Sequence, residues 1–356
     1  MAIKLRAPRR RSAFGSRLIW LLLAIVALYS AAWFGAVKLA GPYVERWAEA
    51  EAARGRQWSC TAPAVSGFPF GLRLACTSPA LTLGSDAGAS SFSAKSMLAS
   101  FDVFAPSHVA VAFEAPVTAK LKNGDTVLFN ARDIKAVVEL QSGGAETALR
   151  SLSLTSAAPD LAVTSAAGRS FAARAASARL SLTAVPAGHD VAFDAEGTKI
   201  PALEALTQNP APATLHVAGL LEKFDLPGHG GIADRLERWR VAGGILTLDK
   251  STLGNGTTQV EISGPLALDE EHRPAGKLAL RLRGGGVLLQ RFGVSANLLN
   301  AGGLIGALLG KTKKPDADTG TAADAQGGLI ALPLTLQGGK LQVGPFPLPT
   351  ELRPLY

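Results

Sequence analysis

The chain has 356 residues and a formal charge of +8, with 36 Lys and Arg residues against 28 Asp and Glu residues. Six of the basic residues precede position 18 and no acidic residue does, so the remainder is nearly balanced in charge. That remainder has no basic stripe interleaved with aromatic residues, which argues against a nucleic-acid partner and leaves residues 1–17 as a basic arm that sets membrane topology.

Residues 18–37 predict a transmembrane anchor. The segment consists of twenty uncharged and mostly apolar residues, and twenty helical residues span roughly 30 Å, the hydrocarbon thickness of a bilayer. Because Lys and Arg hold their flank on the cytoplasmic side, we expect the basic arm in the cytoplasm and everything after Lys38 across the membrane. The sequence therefore predicts a single-pass protein of the bacterial inner membrane with a periplasmic main domain.

A cleaved signal peptide is the alternative interpretation of this segment, since residues 30–32 have the small side chains that a signal peptidase requires. The apolar region of a signal peptide runs for about 7–15 residues. Here Trp33, Phe34 and Val37 continue the apolar run beyond the possible cut. Trp20 and Trp33 also resemble the aromatic residues found at membrane interfaces, so an uncleaved anchor is favoured.

The anchor is followed by a helix candidate and then by two cysteines. Val44 and Trp47 have helical spacing, and we assign residues 38–57 to a juxtamembrane helix. Cys60 and Cys76 lie just beyond it. In an oxidising compartment such a pair predicts a disulfide, whereas a reactive Cys-x-x-Cys pair or a metal site would need a different spacing or more ligands nearby.

From residue 58 onward the chain shows mainly period two. Apolar residues alternate with smaller or polar ones at Leu72 and Leu74, Val109 and Val111, Leu152 and Leu154, Leu180 and Leu182, Val191 and Phe193, Leu246 and Leu248, Val260 and Ile262, Leu278 and Leu280, Leu334 and Leu336, and Leu341 and Val343. Turn-forming segments such as residues 122–125 and 337–340 separate these runs. The pattern predicts a mainly β domain over residues 58–356, built as a long curved antiparallel sheet with a few short helices.

Three stretches depart from period two. Residues 200–206 and 232–241 are short amphipathic helix candidates. Residues 287–310 are more apolar, but Arg291 and other polar residues make a second membrane span costly, so we expect a helix that caps the sheet or contacts the membrane surface. Its last turns form a candidate gate for a hydrophobe that consists of Leu304, Ile305, Leu308 and Leu309. Residues 311–327 have almost no large apolar residue and predict a flexible loop.

No catalytic signature accompanies these elements. The five histidines follow neither a His-Glu-x-x-His nor a His-x-His pattern, and the chain has no Gly-x-Ser-x-Gly turn. Asp269, Glu270 and Glu271 form a run typical of a solvated hairpin tip, because a calcium site needs ligands spaced along a loop. The sequence therefore predicts a protein that is not an enzyme, with no metal site and no cofactor.

A turn bracketed by the two cysteines carries the motif residues Gly67, Phe68, Pro69, Phe70 and Arg73. Together with residues 264–284 and residues 332–349, this motif resembles the bacterial family catalogued as domain of unknown function 2125, over the chain from residue 58 to the C-terminus. The resemblance implies an envelope-anchored all-β domain and, because the family has no established activity, supplies no catalytic residues. Residues 241–284 more distantly resemble AsmA-type envelope proteins, whose curved sheets enclose a lipid groove.

Two functions of different classes follow from this organisation. A long sheet with one apolar face, anchored beside the bilayer, predicts the binding or transfer of lipid or another hydrophobe. The alternative is a non-enzymatic envelope scaffold or assembly factor that binds a protein partner along a sheet edge. The expected partners are thus the membrane itself and either a lipid or an envelope protein.

Overall fold

The computed structural model describes residues 13–84, 89–102, 104–143, 146–225, 231–256, 258–284, 330–344 and 346–356. In these ranges the chain forms three helices and one sheet of sixteen strands. The helices are α1 (Ala13–Ala53), α2 (Pro201–Thr207) and α3 (Ile232–Val241). The strands are β1 (Arg56–Ser66), β2 (Gly71–Leu83), β3 (Ser90–Asp102), β4 (Ala105–Lys120), β5 (Thr126–Gly143), β6 (Glu146–Thr164), β7 (Ser170–Arg174), β8 (Ser177–Val185), β9 (Gly188–Thr198), β10 (Ala213–Leu221), β11 (Leu246–Asn255), β12 (Thr258–Leu268), β13 (Pro274–Arg283), β14 (Ile330–Gln337), β15 (Lys340–Val343) and β16 (Phe346–Glu351).

The sheet is a meander in which nearly every strand pairs with the next one in the sequence. Its order runs from β1 to β16, except that β7 lies off this path beside β6 and β8 takes the next place. The pairs are antiparallel. Neighbouring strands rotate by about 20–25° relative to one another, so a sheet of this width is strongly twisted and curved. The predicted fold class is confirmed.

The predicted turns and two short helices also hold. Residues 122–125 connect β4 to β5, and residues 337–340 carry the tight turn between β14 and β15. The helix expected over residues 200–206 is α2, and the one expected over residues 232–241 is α3. The candidate gate, Leu304, Ile305, Leu308 and Leu309, and the loop predicted at 311–327 lie outside the described residues.

A single helix, α1, contains both the predicted anchor and most of the predicted juxtamembrane segment. It continues through Pro42, where the missing backbone donor removes one intrahelical hydrogen bond. Within it, Leu18–Gly35 is long and apolar enough to cross a membrane, and none of its residues is fully buried. The two segments treated separately in the sequence therefore form one continuous rod that ends at Ala53.

The chain reverses after α1 so that β1 runs back along the helix. Gly55 has φ +78°, a left-handed conformation that glycine adopts without steric cost and that ends many helices. The reversal brings Trp58 of β1 against Trp47 of α1, with ring centroids 5.7 Å apart. Strand β1 is an edge strand of the sheet, and α1 covers part of that edge.

The buried core lies at the C-terminal side of the sheet. Leu278, Leu334 and Val343, from β13, β14 and β15, form its buried centre. Half-buried residues pack around them, namely Ile262, Leu266, Leu280, Leu332, Leu336, Leu341 and Leu348. This cluster closes one face of β12–β16 by local packing, while the earlier strands are covered less completely.

A disulfide joins Cys60 of β1 to Cys76 of β2, as the sequence predicts, with the two Cα atoms 5.5 Å apart. The pairing of β1 with β2 is irregular between Ser59 and Ala64, so Cys60 lies where the ladder is interrupted. Cys76 is 2% exposed. The disulfide thus fastens an edge strand to the sheet where its hydrogen bonds are weakest.

We expect the double substitution Cys60→Ala/Cys76→Ala to lower the free energy of unfolding by about 3 kcal/mol, because it removes a constraint on a short loop of the unfolded chain. Chemical denaturation of the full-length protein in detergent measures this loss. The control is the wild type treated with a strong reductant, whose free energy of unfolding should fall by a similar amount. Quantitative thiol labelling of the non-reduced, denatured wild type would contradict the disulfide.

Candidate functional site

One face of the sheet carries continuous apolar rows that run across the strands. Residues directly opposite each other in an antiparallel pair share a face, so the strand register defines each row. One row consists of Leu72, Phe101, Val109, Val138, Leu152, Leu182 and Val191. The next row consists of Leu74, Ala99, Val111, Ala136, Leu154, Leu180, Phe193 and Val217. We call these two rows together the apolar face.

The apolar face from β2 to β10 is only partly buried. Leu154, Leu180 and Phe193 are half-buried, and Phe101 is 38% exposed. Among the described elements, contacts are made chiefly between strands adjacent in the sheet, with α1 against β1 and α2 against β7. The same alternation of apolar residues therefore yields a closed core near Leu278 and a partly exposed apolar surface on the earlier strands.

The motif turn, residues 67–70, connects β1 to β2 and packs directly on α1. The side chain of Phe68 contacts Trp33 in an edge-to-face arrangement at 5.2 Å and stacks on Phe34 at 5.9 Å between ring centroids. The hydroxyl of Tyr29 donates a hydrogen bond to the carbonyl oxygen of Pro69. The aromatic motif thus serves to dock the end of the sheet on the helix.

Two glycines allow this turn to form. A Cβ atom on Gly67, whose φ is +116°, would lie 2.7 Å from the carbonyl oxygen of Gly71. A Cβ atom on Gly71 would lie 2.9 Å from the carbonyl oxygen of Phe101, on the neighbouring strand β3. The carbonyl oxygen of Gly71 also accepts a hydrogen bond of 3.3 Å from the indole Nε1 of Trp33. A side chain at either position would therefore force the turn, or its contact with β3, to change conformation.

This docking places the motif turn at the level of the apolar part of α1. Tyr29 and Trp33 lie inside Leu18–Gly35, near its C-terminal end. With a rise of 1.5 Å per helical residue, Tyr29 is only about 9 Å from Gly35 along the axis. The end of the sheet that carries the motif turn is therefore beside the last turns of the apolar segment, and we call it the motif end.

A cavity of about 540 Å³ opens at the motif end. Apolar side chains on its wall include Phe68, Phe70 and Val137, and polar ones include Arg73 and His108. Arg73, Ser100, Ala110 and Val137 are successive register partners from β2 to β5, and they lie on the face opposite the apolar face. The cavity thus combines aromatic walls with a cationic side chain, next to α1.

The other end of α1 is held by charged groups. Glu51 is buried and accepts hydrogen bonds from Arg54 at 2.9 Å and from Arg56 Nη2 at 3.0 Å. The hydrogen bond from Arg56 is the main cause of a lowered pKa for the Glu51 carboxyl. Helix α3 lies close by, because a Cβ atom on Gly231 would be 3.9 Å from the carbonyl oxygen of Leu83. The curved sheet therefore brings α3 back to the end of β2.

A second polar cluster attaches the C-terminal residues to α3. The Glu237 carboxylate accepts hydrogen bonds from Arg240 at 2.7 Å and from the Tyr356 hydroxyl at 2.9 Å, and the ring of His272 stacks on Tyr356 at 4.4 Å. The hydrogen bond from Arg240 contributes most to lowering the pKa of Glu237 to about 2. Burial, followed by the hydrogen bond to Glu237, raises the pKa of Tyr356 to about 12.

We expect Tyr356 to ionise late, near pH 12, and Glu237→Gln to lower its pKa by removing the second-largest of the causes that raise it. Since the pKa of Tyr356 is raised in the folded state, its contribution to stability is complete below pH 10 and is lost as the pH rises through 12. Ultraviolet absorbance of tyrosinate during an alkaline titration measures both effects. Tyr356→Phe should remove the late transition, and its persistence in that variant would contradict the assignment.

The structure brings together most of the residues singled out in the sequence. The motif residues Gly67, Phe68 and Phe70 line the cavity with Arg73, and Pro69 contacts α1. Sequence reasoning missed Phe104, in the turn between β3 and β4, whose ring centroid is 6.4 Å from that of Phe70. It also missed Phe101 of β3, which borders the cavity from the apolar face. Among the described residues, no group of three or more His, Cys, Asp and Glu side chains is placed to hold a metal ion.

Comparison with known proteins places the chain in a family. The family model described as an uncharacterized protein conserved in bacteria (DUF2125) matches residues 33–350, and the chain belongs to this family. The matched region begins at Trp33, which contacts the motif turn, and includes the whole sheet except the last residue of β16. The chain matches no curated protein and no solved structure.

Proposed function

We propose that this DUF2125 protein is a single-pass inner-membrane protein whose periplasmic β domain binds or transfers lipid on its apolar face, without enzymatic activity. The observation that carries the proposal is the partial burial of two continuous apolar rows across the strands from β2 to β10. These rows begin at Leu72 and Leu74, a few residues from the motif turn that docks on α1. A hydrophobe leaving the bilayer would therefore meet the apolar face at the motif end.

The orientation rests on charge. The basic arm carries six Lys and Arg residues before Leu18, and a flank of this kind stays in the cytoplasm. On the other flank, residues 36–50 contain two basic residues, Lys38 and Arg46. The asymmetry supports a periplasmic position for the residues after Lys38, including the whole sheet.

We expect alkaline phosphatase fused after Tyr356 to be active, since that enzyme folds only in the oxidising periplasm. Green fluorescent protein exported by the same route should stay dark at the same position. Intact mass should show a mature chain that retains its N-terminal residues. An inactive phosphatase fusion would contradict the orientation, and a mature N-terminus near Trp33 would replace the anchor with a cleaved signal peptide.

The dimensions of the apolar face suit an acyl chain. Strands are spaced by about 4.8 Å, so a row across eight strands extends for roughly 34 Å. An acyl chain of one leaflet spans about 15 Å, half of the hydrocarbon core. Each methylene group removed from water contributes about 0.8 kcal/mol, so a chain laid along part of one row would be held without a deep pocket.

We expect Leu180→Glu to lower the lipid that copurifies with the full-length protein by about tenfold, the effect of losing about two buried methylene groups. Leu180 is a half-buried residue of the apolar face in β8, and a carboxylate there would face the bound chain. Native mass spectrometry of the detergent-solubilised protein measures the retained lipid. Ser181→Glu is the matched control, because the adjacent residue of β8 lies on the opposite face and should keep its lipid.

Equal lipid in the wild type and in both variants would contradict lipid binding on this face. Thermal melting confirms that the variants are folded, and Leu180→Ser replaces Leu180→Glu if the carboxylate prevents folding. A charge at Leu280 would not serve in this test. That residue packs against the buried core around Leu278, so a charge there would destabilise the domain whatever the function.

A scaffold that binds a protein partner is the competing function. An added strand would pair at the edge of β16, the last strand of the sheet among the described residues. Pro347 and Pro349 lie in that strand, and proline has no backbone N–H to offer. Prolines on an edge strand hinder pairing with another chain. We therefore favour lipid over a protein strand as the ligand, and a lipid-free domain in native mass spectrometry would reverse this preference.

A further inference from the structure

We propose that the motif end lies at the boundary between the hydrocarbon core and the headgroups of the periplasmic leaflet and binds an anionic phospholipid there, with Arg73 contacting the lipid phosphate and Phe70 and Phe104 contacting the upper acyl chains. This site lies on the face opposite the apolar face and is separate from the lipid surface described above. It rests on the proposed membrane crossing of α1, not on lipid binding at Leu180.

The depth of the site follows from contacts with α1. Phe68 packs on Trp33 and Phe34, and Tyr29 donates to Pro69. If Leu18–Gly35 spans the hydrocarbon core, these residues lie in its outer part, where Trp and Tyr are enriched at the interface with water. The motif turn packs against these residues and therefore lies at the same depth in the membrane.

The exposed aromatic side chains at this end match that position. Phe70 is 66% exposed and Phe104 is 78% exposed, and their ring centroids are 6.4 Å apart. They come from two different turns at the motif end, one between β1 and β2 and one between β3 and β4. Two adjacent phenylalanines that face water are unfavourable on a soluble surface, whereas the lipid interface would accept both.

Arg73 supplies the charge for a phosphate. Its side chain is exposed on the wall of the cavity, and among the described residues it makes no hydrogen bond or ion pair. Asp102 lines the same cavity, and its carboxylate accepts a hydrogen bond of 2.9 Å from the backbone N–H of Phe104 rather than pairing with Arg73. His108 lies on the same wall and is 3.7 Å from Glu139. Arginine binds phosphate oxygens through paired hydrogen bonds, which makes an anionic phospholipid the ligand of matching chemistry.

The membrane contact is tested by photo-crosslinking in the full-length protein, reconstituted in nanodiscs of phosphatidylglycerol and phosphatidylcholine. Benzoylphenylalanine replaces either Phe104 or Phe171. Phe171 is the matched control, since it is also an exposed phenylalanine of the sheet, at 43%, but lies in β7 at the opposite end of β6. We expect lipid adducts at position 104 and none at position 171. Equal labelling of the two positions would overturn the placement of the motif end in the membrane.

The headgroup site is tested by titrating the detergent-solubilised full-length protein with short-chain phosphatidylglycerol. We expect Arg73→Gln to weaken binding about tenfold, the loss typical of a charge-assisted hydrogen bond to phosphate. Arg179→Gln, an exposed arginine on the same face of the sheet, should bind as the wild type does. Short-chain phosphatidylcholine, whose choline cation offsets the phosphate charge, should bind the wild type more weakly than phosphatidylglycerol and should lose less affinity in Arg73→Gln.

The outcomes separate the two proposals. Leu180→Glu should retain the phosphatidylglycerol binding that depends on Arg73. If lipid binding on the apolar face fails its own test, the titration of the Arg73 site can therefore still be interpreted. Identical binding by Arg73→Gln and Arg179→Gln would overturn the headgroup site. Inorganic phosphate that bound as tightly as phosphatidylglycerol would overturn a lipid as the ligand. Since Arg73 is exposed, both arginine variants should melt at the wild-type temperature.

Discussion

The pairing of each strand with its neighbour in the sequence is the interaction on which the rest of the structure depends. Most contacts between described elements are made across adjacent strands, and the cluster around Leu278, Leu334 and Val343 is a small core for a sheet of this size. A meander satisfies the backbone hydrogen bonds of every internal strand without folding one half of the sheet onto the other. It therefore leaves an apolar face on which, among the described residues, the buried cluster lies at the C-terminal side and the large side chains of the earlier strands are only partly buried. The edges of such a sheet need protection, which α1 gives to β1 and the prolines of β16 give to the other side.

The attachment of the sheet to α1 gives the domain a fixed position relative to the helix. Three contacts are spread along the helix: the ion pairs of Glu51, the Trp47–Trp58 contact, and the packing of Phe68 on Trp33. Contacts at three heights, with the reversal at Gly55, restrict both the tilt and the sliding of β1 against the helix. The disulfide from Cys60 to Cys76 then transmits that position from β1 to β2. If α1 crosses a bilayer, its position in the membrane therefore determines how close the motif end comes to the lipid headgroups.

Much of the fold was predictable because period two is a direct consequence of strand geometry. The alternation at Leu180 and Leu182 and the alternation at Leu278 and Leu280 both predicted strands correctly. The same local pattern could not reveal that Leu278 is buried while Leu180 is only half-buried, since that difference depends on how the sheet curves. Nor could it reveal the contact between Tyr29 and Pro69, which are far apart in the sequence and meet only because β1 runs back along α1. The helix predicted over residues 38–57 includes Pro42, and α1 does continue through it, but the sequence divided the anchor from this helix at Lys38, where α1 is unbroken.

The period of two also links the two proposed lipid sites. Leu72 and Arg73 are consecutive residues of β2, so their side chains point to opposite faces while their backbones are only about 3.3 Å apart along the strand. Leu72 begins one row of the apolar face, and Arg73 lies on the wall of the cavity at the motif end. Both faces can therefore be reached from the same edge, where the motif turn meets α1. For a phospholipid whose headgroup is bound at Arg73, the apolar row begins at the adjacent residue, Leu72, on the other face of the sheet. Gly67 and Gly71 allow the backbone at this end to pass close to Phe101 and to α1, so the turn that docks the sheet lies between the starts of both faces.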